Sequence, residues 1–348
     1  MTCRAVLLST VAALVTVLGC EAAPTEPPPP VPSPPTTAPP PPAEPEDAPS
    51  VSEDPVVRED VIPLPGGAPE GAVVDPASGV LAVALREPNR LALVDTATRQ
   101  VRTVEVPGAA RHLVLGAPGE LLVLAEDTDL LVRVALPEGK VVGQTPVGRQ
   151  PHDAGSVGDT VFVANEFGGT VGVVRGGTMV DEIPGLVQPG GLTATRNRVA
   201  AVDVRGNTMH VIDPATLDTI AVLPAGEGPS HVRPVGSNRV VVADTRGNAV
   251  LSYALDGNPR QLGSVPVPGR AYGLDTDPER GLAYLTLANT NQVVQVRIGP
   301  EGQPEPGPIL PTVRQPNDVA VDPRDGTVYV IGQAGAEVQP IPARAFGS

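Results

Sequence analysis

The sequence repeats itself at intervals of about forty residues, and this period limits the fold more than any other feature. Seven times, a short polar segment precedes an apolar stretch. Aligned on the equivalent residues 69, 110, 151, 189, 229, 271 and 316, the repeats are 41, 41, 38, 40, 42 and 45 residues apart. This period predicts four short strands per repeat, and each repeat needs its neighbours to bury its apolar face.

Within each repeat, apolar stretches alternate with turn residues. Residues 240–243 form a β-branched run, and residues 323–326 combine the Pro, Asp and Gly that tight turns favour. Helical periodicity is absent from this part of the chain. We therefore predict an all-β fold, a seven-bladed β-propeller that protects its sheet edges by radial repetition, with six or eight blades as the alternatives.

The last repeat contains only three predicted strands. They lie around Val319, at 328–331 and at 338–341, whereas residues 56–64 form a strand that belongs to no repeat. We predict that this N-terminal strand joins the last blade and closes the ring, because closure removes the open ends of a solenoid.

Several segments resemble a known family. The tetrapeptide Phe162-Val163-Ala164-Asn165 resembles the YVTN signature of bacterial and archaeal surface propellers, and residues 94–98 and 211–216 are similar to the VIDTAT segment of that family. The resemblance covers about residues 55–345. It implies a surface propeller but no particular activity, because the family is functionally mixed.

The N-terminus has the features of a lipoprotein signal peptide, which we assign to residues 1–19. Arg4 precedes an apolar run of signal-peptide length, and the run ends in Leu18-Gly19-Cys20, which resembles the bacterial lipobox. We predict lipidation of Cys20 and removal of Cys3 with the signal. An ordinary secretory signal is the alternative.

Residues 20–54 then form a tether between the lipid and the propeller, which we place at residues 55–348. Proline makes up more than half of residues 24–50, so this stretch is predicted to stay disordered. Polyproline II conformation would let it span on the order of 80 Å. The sequence thus predicts a protein held to the extracytoplasmic side of the cell membrane.

The charge of the chain excludes one class of partner. The formal net charge is −15, with Lys140 as the single lysine, so phosphate backbones should be repelled and nucleic acid is not expected as a partner. We expect a monomer whose partners are the membrane, through the lipid, and an envelope protein or small ligand. Both cysteines precede residue 21, so the body has no disulfides.

Two rings of side chains are predicted at the mouth of the central channel. The inner ring precedes or begins each first strand, and the outer ring follows each second strand. We expect the outer ring to bind local backbone amides in turns. The inner ring comprises Glu70, Arg111, His112, His152, Asp153, Ser230, His231, Tyr272, Asn317 and Asp318. The outer ring comprises Glu126, Asn165, Glu166, Asp203, Arg205, Asp244, Arg246, Asn289 and Asn291.

Three of the four histidines, His112, His152 and His231, fall in the inner ring. Imidazole is a common metal ligand and general base, so this pattern leaves open a divalent metal site and a metal-assisted lyase or hydrolase. Even spacing of seven blades, about 51° apart, places His112 and His231 across the channel from each other, which argues against a shared metal. The favoured interpretation is a binding module without catalysis, which uses the channel-mouth face; no cofactor is required.

Overall fold

Residues 60–347, the part described by the computed structural model, form seven four-stranded antiparallel sheets. The predicted signal peptide, Cys20, the proline-rich tether and Ser348 lie outside the described residues. First strands of successive blades contact one another around a central channel. The prediction of a seven-bladed β-propeller is therefore confirmed.

Blades are numbered in chain order, and each contributes its first strand to the channel. Blades 1 to 3 consist of β2 (Ala68–Asp75), β3 (Val80–Arg86), β4 (Arg90–Asp95) and β5 (Val101–Glu105); β6 (Ala110–Leu115), β7 (Glu120–Ala125), β8 (Leu130–Ala135) and β9 (Lys140–Pro146); and β10 (Pro151–Val157), β11 (Thr160–Asn165), β12 (Thr170–Arg175) and β13 (Thr178–Pro184).

Blades 4 to 6 repeat the same order. They consist of β14 (Pro189–Ala194), β15 (Val199–Asp203), β16 (Thr208–Ile212) and β17 (Thr219–Pro224); β18 (Pro229–Pro234), β19 (Arg239–Asp244), β20 (Ala249–Ala254) and β21 (Arg260–Pro266); and β22 (Ala271–Asp277), β23 (Leu282–Leu287), β24 (Gln292–Ile298) and β25 (Pro304–Pro311).

Blade 7 combines the two ends of the described chain. It contains β26 (Pro316–Val321), β27 (Val328–Gly332) and β28 (Glu337–Ile341), and β1 (Ile62–Pro63) pairs with β28 as its outermost strand. A 3₁₀ helix, Ala343–Phe346, follows. The predicted closure is confirmed, but the closing strand is shorter than residues 56–64, and residues 56–59 lie outside the described residues.

The hydrophobic core lies between neighbouring blades rather than within one. Ala82 and Leu93 of blade 1, for example, share a buried cluster with Leu121 and Val123 of blade 2. Alternation along each strand presents apolar side chains to both faces of a sheet, so each blade buries one face against the blade before it and the other against the blade after it. The ring must therefore close for every blade to be fully covered.

Candidate functional site at the channel mouth

Every first strand carries a β-bulge close to its start, at the segment aligned in the sequence. In blade 3, for instance, the register shifts between Pro151 and Asp153. A bulge bends the strand and re-aims its side chains. It therefore turns the inner-ring residues toward the channel mouth, the end of the channel where the first strands begin. The other bulges lie at 69–72, 110–113, 189–192, 229–231, 271–274 and 316–318.

Glycines let neighbouring first strands approach closely and narrow the channel. A Cβ on Gly191 would lie 2.9 Å from the Cα of His231, and one on Gly71 would lie 2.9 Å from the Cα of His112. Real side chains do not tolerate such distances. The second position after the aligned residue is glycine in blades 1, 4 and 6 and a polar side chain in the other four: Gly71, His112, Asp153, Gly191, His231, Gly273 and Asp318.

His112 and His231 meet in the middle of this narrow channel. Their rings pack edge to face with centroids 4.8 Å apart, and His231 also packs against Tyr272. The expectation that the two histidines oppose each other is right, but the inference that this keeps them apart is wrong, because the strands approach more closely than an open channel allows.

Both histidines are held neutral. His112 is 3% exposed and His231 is 2% exposed, and neither ring nitrogen of His112 has a hydrogen-bond partner among the described residues. Burial lowers the pKa of His112 well below its usual value, and the positive charge on His152 adds to the effect. Burial also lowers the pKa of His231, together with the charge of Arg233. The channel thus contains unsatisfied nitrogen atoms.

His152 lies in a different environment, although its ring contacts that of His112 with centroids 4.7 Å apart. Its Nδ1 lies 3.0 Å from Oε1 of Glu126 and 3.3 Å from Oε2 of Glu166. Burial opposes a charge on His152, but the hydrogen bonds to the two carboxylates outweigh it and raise its pKa to about 9. His152 is therefore an imidazolium at neutral pH.

Glu126 and Glu166 correct the prediction for the outer ring. Burial by itself would raise the pKa of Glu126, but the hydrogen bond and charge of His152, with Arg111 and Arg86, lower it to about 2. Gln188 donates to Glu166 at 2.7 Å. These two carboxylates bind side chains of the inner ring rather than the local backbone, because each lies one position later than Asp203 and Asp244. Asp203 pairs with Pro189 at the start of its first strand, whereas in blade 3 the residue in that place is Asn165, and Glu166 follows it.

Three other residues of the outer ring bind backbone amides, as predicted. Asp203 accepts hydrogen bonds from the amides of Val187 and Gly206, and Asp244 accepts one from Gly228. Asn291 accepts one from the amide of Gln315. These side chains bond to backbone amides, within their own turns or in the neighbouring loops that lead into the first strands, so they fix the mouth loops.

A polar arc extends from the His152 cluster around the mouth. Arg86 binds Glu126 in blade 2 and lies 3.7 Å from Glu70 in blade 1, and Asn317 of blade 7 donates to Glu70 at 2.9 Å. Arg111 lies 3.7 Å from Glu126. The arc joins blades 7, 1, 2, 3 and 4. Its carboxylates are paired with cations, so the mouth is not simply acidic.

A second charged layer lies deeper in the channel. Asp153 is completely buried, and its Oδ2 accepts hydrogen bonds from Arg233 at 2.8 Å and from the amide of Leu192 in the next blade at 3.0 Å. Burial disfavours the charge on Arg233, but Asp153 raises its pKa above the usual value. Asp153 therefore joins blades 3, 4 and 5.

Asp318 and Asp275 complete this layer. Oδ2 of Asp318 accepts from the amide of Ala72 at 2.8 Å, and Oδ2 of Asp275 accepts from Val321 at 2.8 Å. Burial raises the pKa of Asp318 to about 7 and that of Asp275 to about 6. Below this layer the channel opens into a cavity of about 220 Å³ with mostly aliphatic walls, and Arg233, Asp275 and Asp318 line it as well.

Residues that could hold a metal ion differ from the predicted set. Within residues 60–347, the group with suitably placed ligand atoms is Glu126, His152 and Glu166. The prediction named His112, His152 and His231, of which His112 and His231 contact each other but do not belong to this group. One predicted histidine therefore joins two carboxylates that were expected to be turn residues.

Arg86, Gln188, Arg233 and Asp275 are site residues that the sequence analysis missed. Arg86 ends a second strand, and Gln188 precedes a first strand, so both have equivalents in the predicted rings. Arg233 and Asp275 lie two residues after the inner-ring position. Alternate residues of a strand face the same side, so charged residues at this spacing should line the channel below the inner ring. The sequence therefore contained the information needed to predict Arg233 and Asp275.

Two apolar side chains stand exposed beside the mouth. Phe167 directly follows Glu166 and is 49% exposed, and Val187 precedes Gln188 and is 57% exposed. A Cβ on Gly169 would lie 3.0 Å from the carbonyl oxygen of Leu186, so the two loops are neighbours. The other large exposed apolar residues among residues 60–347 lie on fourth strands, away from the mouth.

No described helix is long and apolar enough to cross a membrane. No protein-family model matches the sequence, and no curated protein matches it. The resemblance to the YVTN family therefore stays a prediction.

Many solved structures share the fold. Hydrazine synthase from Kuenenia stuttgartiensis has 15% identity and a TM-score of 0.68, covering 82% of this chain and 99% of that chain. The WD40 repeats of RRP9 have 13% identity and a TM-score of 0.72, covering 82% and 98%. Virginiamycin B lyase from Staphylococcus aureus has 13% identity and a TM-score of 0.64, covering 79% and 94%. At these identities the likenesses establish the propeller fold alone.

Proposed function

We propose that this chain is a lipid-anchored, extracytoplasmic β-propeller that binds a protein partner on the mouth face of blades 3 and 4. The lipobox-like segment at residues 17–20 and the proline-rich tether support the anchor and the location. A propeller is a general scaffold for protein binding, because its loops converge on one rigid face.

The exposed pair of Phe167 and Val187 is the observation that carries the proposal. The chain has only three Phe and no Trp, yet one Phe is exposed directly beside the buried charged arc. An exposed aromatic side chain rimmed by polar groups is the pattern of a binding hot spot.

The charge around this pair defines the partner. Asp127 and Asp129 are exposed in the adjacent turn of blade 2, and the chain as a whole is strongly acidic. Opposite charges steer association and fix its orientation. The partner is therefore a protein segment that offers an apolar side chain flanked by basic residues.

Site-specific photo-crosslinking tests this surface in cells that make the full-length protein. A crosslinker in place of Phe167 should give one discrete adduct, and a crosslinker in place of Val222, which is 52% exposed on the outermost strand of blade 4, should not. The same adducts at both positions, or none at Phe167, would count against the surface.

The identified partner should then bind the purified protein directly. Replacing Phe167 and Val187 together by Ser should weaken binding by about tenfold or more. Replacing Ile220 and Val222 by Ser removes a similar exposed apolar area elsewhere and should leave the affinity unchanged. Equal affinity for both double variants would overturn the proposal.

A metal-assisted lyase or hydrolase is the second candidate function. One observation favours it, the contact of His152 with two buried carboxylates at the mouth. This candidate function requires a bound metal ion, so it is excluded if metal analysis of the purified protein finds none. The outcome of that analysis does not affect the crosslinking test of the Phe167 surface.

A further inference from the structure

We propose that Glu126, His152 and Glu166 form a binding site for a divalent first-row cation, Zn²⁺ or Mn²⁺, at the channel mouth. The site goes beyond partner binding, because its three ligands lie beneath the exposed surface and not on it. Each is less than 10% exposed. They come from the turn after β7, the first strand of blade 3 and the turn after β11, so a cation would join blades 2 and 3.

The spacing of the ligand atoms fits a metal ion. Nδ1 of His152 lies 3.0 Å from Oε1 of Glu126 and 3.3 Å from Oε2 of Glu166, and one ligand atom from each residue lies within 4.8 Å of the others. Bonds of about 2.0–2.1 Å in a tetrahedral site put neighbouring ligand atoms about 3.3 Å apart. A cation therefore fits between these atoms with small side-chain adjustments.

The ligand chemistry selects the class of cation. One imidazole nitrogen with two carboxylates is a mixed nitrogen and oxygen set; imidazole suits zinc, and carboxylate oxygen suits manganese. The three residues are buried, and the carboxylates carry two negative charges, of which Arg86 offsets part at Glu126. A divalent cation neutralises the remainder where water is largely excluded.

Neighbouring side chains hold the two carboxylates in place. Gln188 donates to Oε1 of Glu166 at 2.7 Å, and Gln150 donates to its Oε2 at 3.2 Å. Arg86 binds the Oε2 of Glu126, the oxygen that does not face His152. Such outer contacts orient metal ligands and tune their affinity.

His112 supplies an independent observation. Its ring contacts that of His152, it is 97% buried, and both of its nitrogens lack a hydrogen-bond partner among the described residues. Without a metal ion, the proton on Nδ1 of His152 fills the gap between the carboxylates and leaves the His112 nitrogens unsatisfied; a cation that binds there displaces this proton to solvent. His112 lies outside the ligand group, so the metal ion gives one of its nitrogens a partner through a bound water.

Metal analysis of the full-length protein, purified in detergent, tests the site. After chelation and reloading with Zn²⁺ or Mn²⁺, the protein should retain about one ion per chain. Co²⁺ in its place should give a visible ligand-field spectrum. The variants Glu166→Gln and His152→Ala should lose the ion, and Gln188→Ala should weaken affinity by about 10–100-fold.

Matched controls separate loss of the site from loss of the fold. Glu182→Gln alters an exposed glutamate of the same blade, and His210→Ala alters the remaining histidine of the propeller, in the third strand of blade 4. Both should keep the ion. Since Glu166→Gln preserves shape, its far-UV circular dichroism should match that of chelated wild type, which shows that the fold persists. Wild-type protein that retains no ion, or a Glu166→Gln variant that retains it fully, would overturn the proposal.

Discussion

His112 and His231 come from blades 2 and 5, on opposite sides of the ring, yet their imidazole rings meet with centroids 4.8 Å apart. This contact shows how tightly the first strands converge. Gly71 of blade 1 and Gly191 of blade 4 make this convergence possible, because each packs against the backbone of the next blade, where a side chain would not fit. The centre of the propeller is therefore a packed polar core at the mouth rather than an open pore.

The close approach at Gly71 gives the first prediction. A Cβ at this position would overlap the carbonyl oxygen of Arg111 and crowd His112, so Gly71→Ala should lower the free energy of unfolding by about 1–3 kcal/mol or more. In Gly143→Ala the new Cβ would lie 3.5 Å from the nearest atom, in the side chain of Arg133, and should change stability little. Thermal denaturation compares the two variants, and equal effects would refute the close-approach explanation.

The raised pKa of Asp318 gives a pH dependence of defined sign. Its pKa is about 7 in the folded protein and 3.8 as the unperturbed value. The folded state therefore binds the proton more tightly, so this stabilisation is present below about pH 4 and is lost as the pH rises through 7. The loss from this one group is on the order of 4 kcal/mol, and Asp275, with a pKa of about 6, acts in the same direction.

Asp318→Asn keeps an oxygen for the amide of Ala72 but cannot ionise. The variant should flatten the fall in stability between about pH 4 and 7, measured by urea unfolding at each pH. Asp218→Asn, at an exposed position, should keep the wild-type slope. A slope unchanged by Asp318→Asn would show that Asp318 is not the titrating group.

Closure of the ring by β1 predicts a large effect from a single side chain. Ile62 is 3% exposed on the outermost strand of blade 7, and Ile220 is 42% exposed on the outermost strand of blade 4. Ile62→Ser should lower the free energy of unfolding by about 2–5 kcal/mol, and Ile220→Ser by less than about 0.5 kcal/mol. Chemical denaturation distinguishes them, and a small effect at Ile62 would argue that the ring closes without β1.

The two cysteines offer a matched test of the anchor. Cys20→Ser should abolish incorporation of labelled palmitate, because it removes the predicted site of lipidation. Cys3→Ser alters a residue that is removed with the signal and should leave the incorporation unchanged. Metabolic labelling followed by immunoprecipitation measures both, and full incorporation into the Cys20 variant would exclude this lipid anchor.

Much of the fold follows from the sequence because the propeller is a repeat. The forty-residue period, the β-branched runs and the incomplete last repeat predict seven blades and closure by an N-terminal strand, and both are confirmed. Within the described residues the closing strand comprises Ile62–Pro63, so positions 60, 61 and 64 of the predicted strand do not belong to it. Pairing stops at Ile62, opposite Val338, although β28 continues to Ile341. Asp60, with a φ of 72°, has left the extended conformation, so local backbone geometry sets this boundary.

The candidate site was predicted less completely. Alignment of the repeats placed His112, His152 and His231 at the mouth, and all three lie there, with the ring of His112 in contact with both others. It also treated Glu126 and Glu166 like Asp203 and Asp244, although each glutamate lies one position later in the strand register. Adjacent positions face different ways, so the glutamates reach His152 while the aspartates bind backbone amides.

The sequence by itself determined the number of blades and the residues that each blade presents to the mouth, because a period fixes which positions are equivalent. Only the tertiary structure decided which of these residues meet. Distances across the channel depend on how closely seven separate strands pack, and that packing is set jointly by glycines such as Gly71 and Gly191 in different blades. The neutral pair of His112 and His231, and the charged group of His152 with two glutamates, are both consequences of that packing.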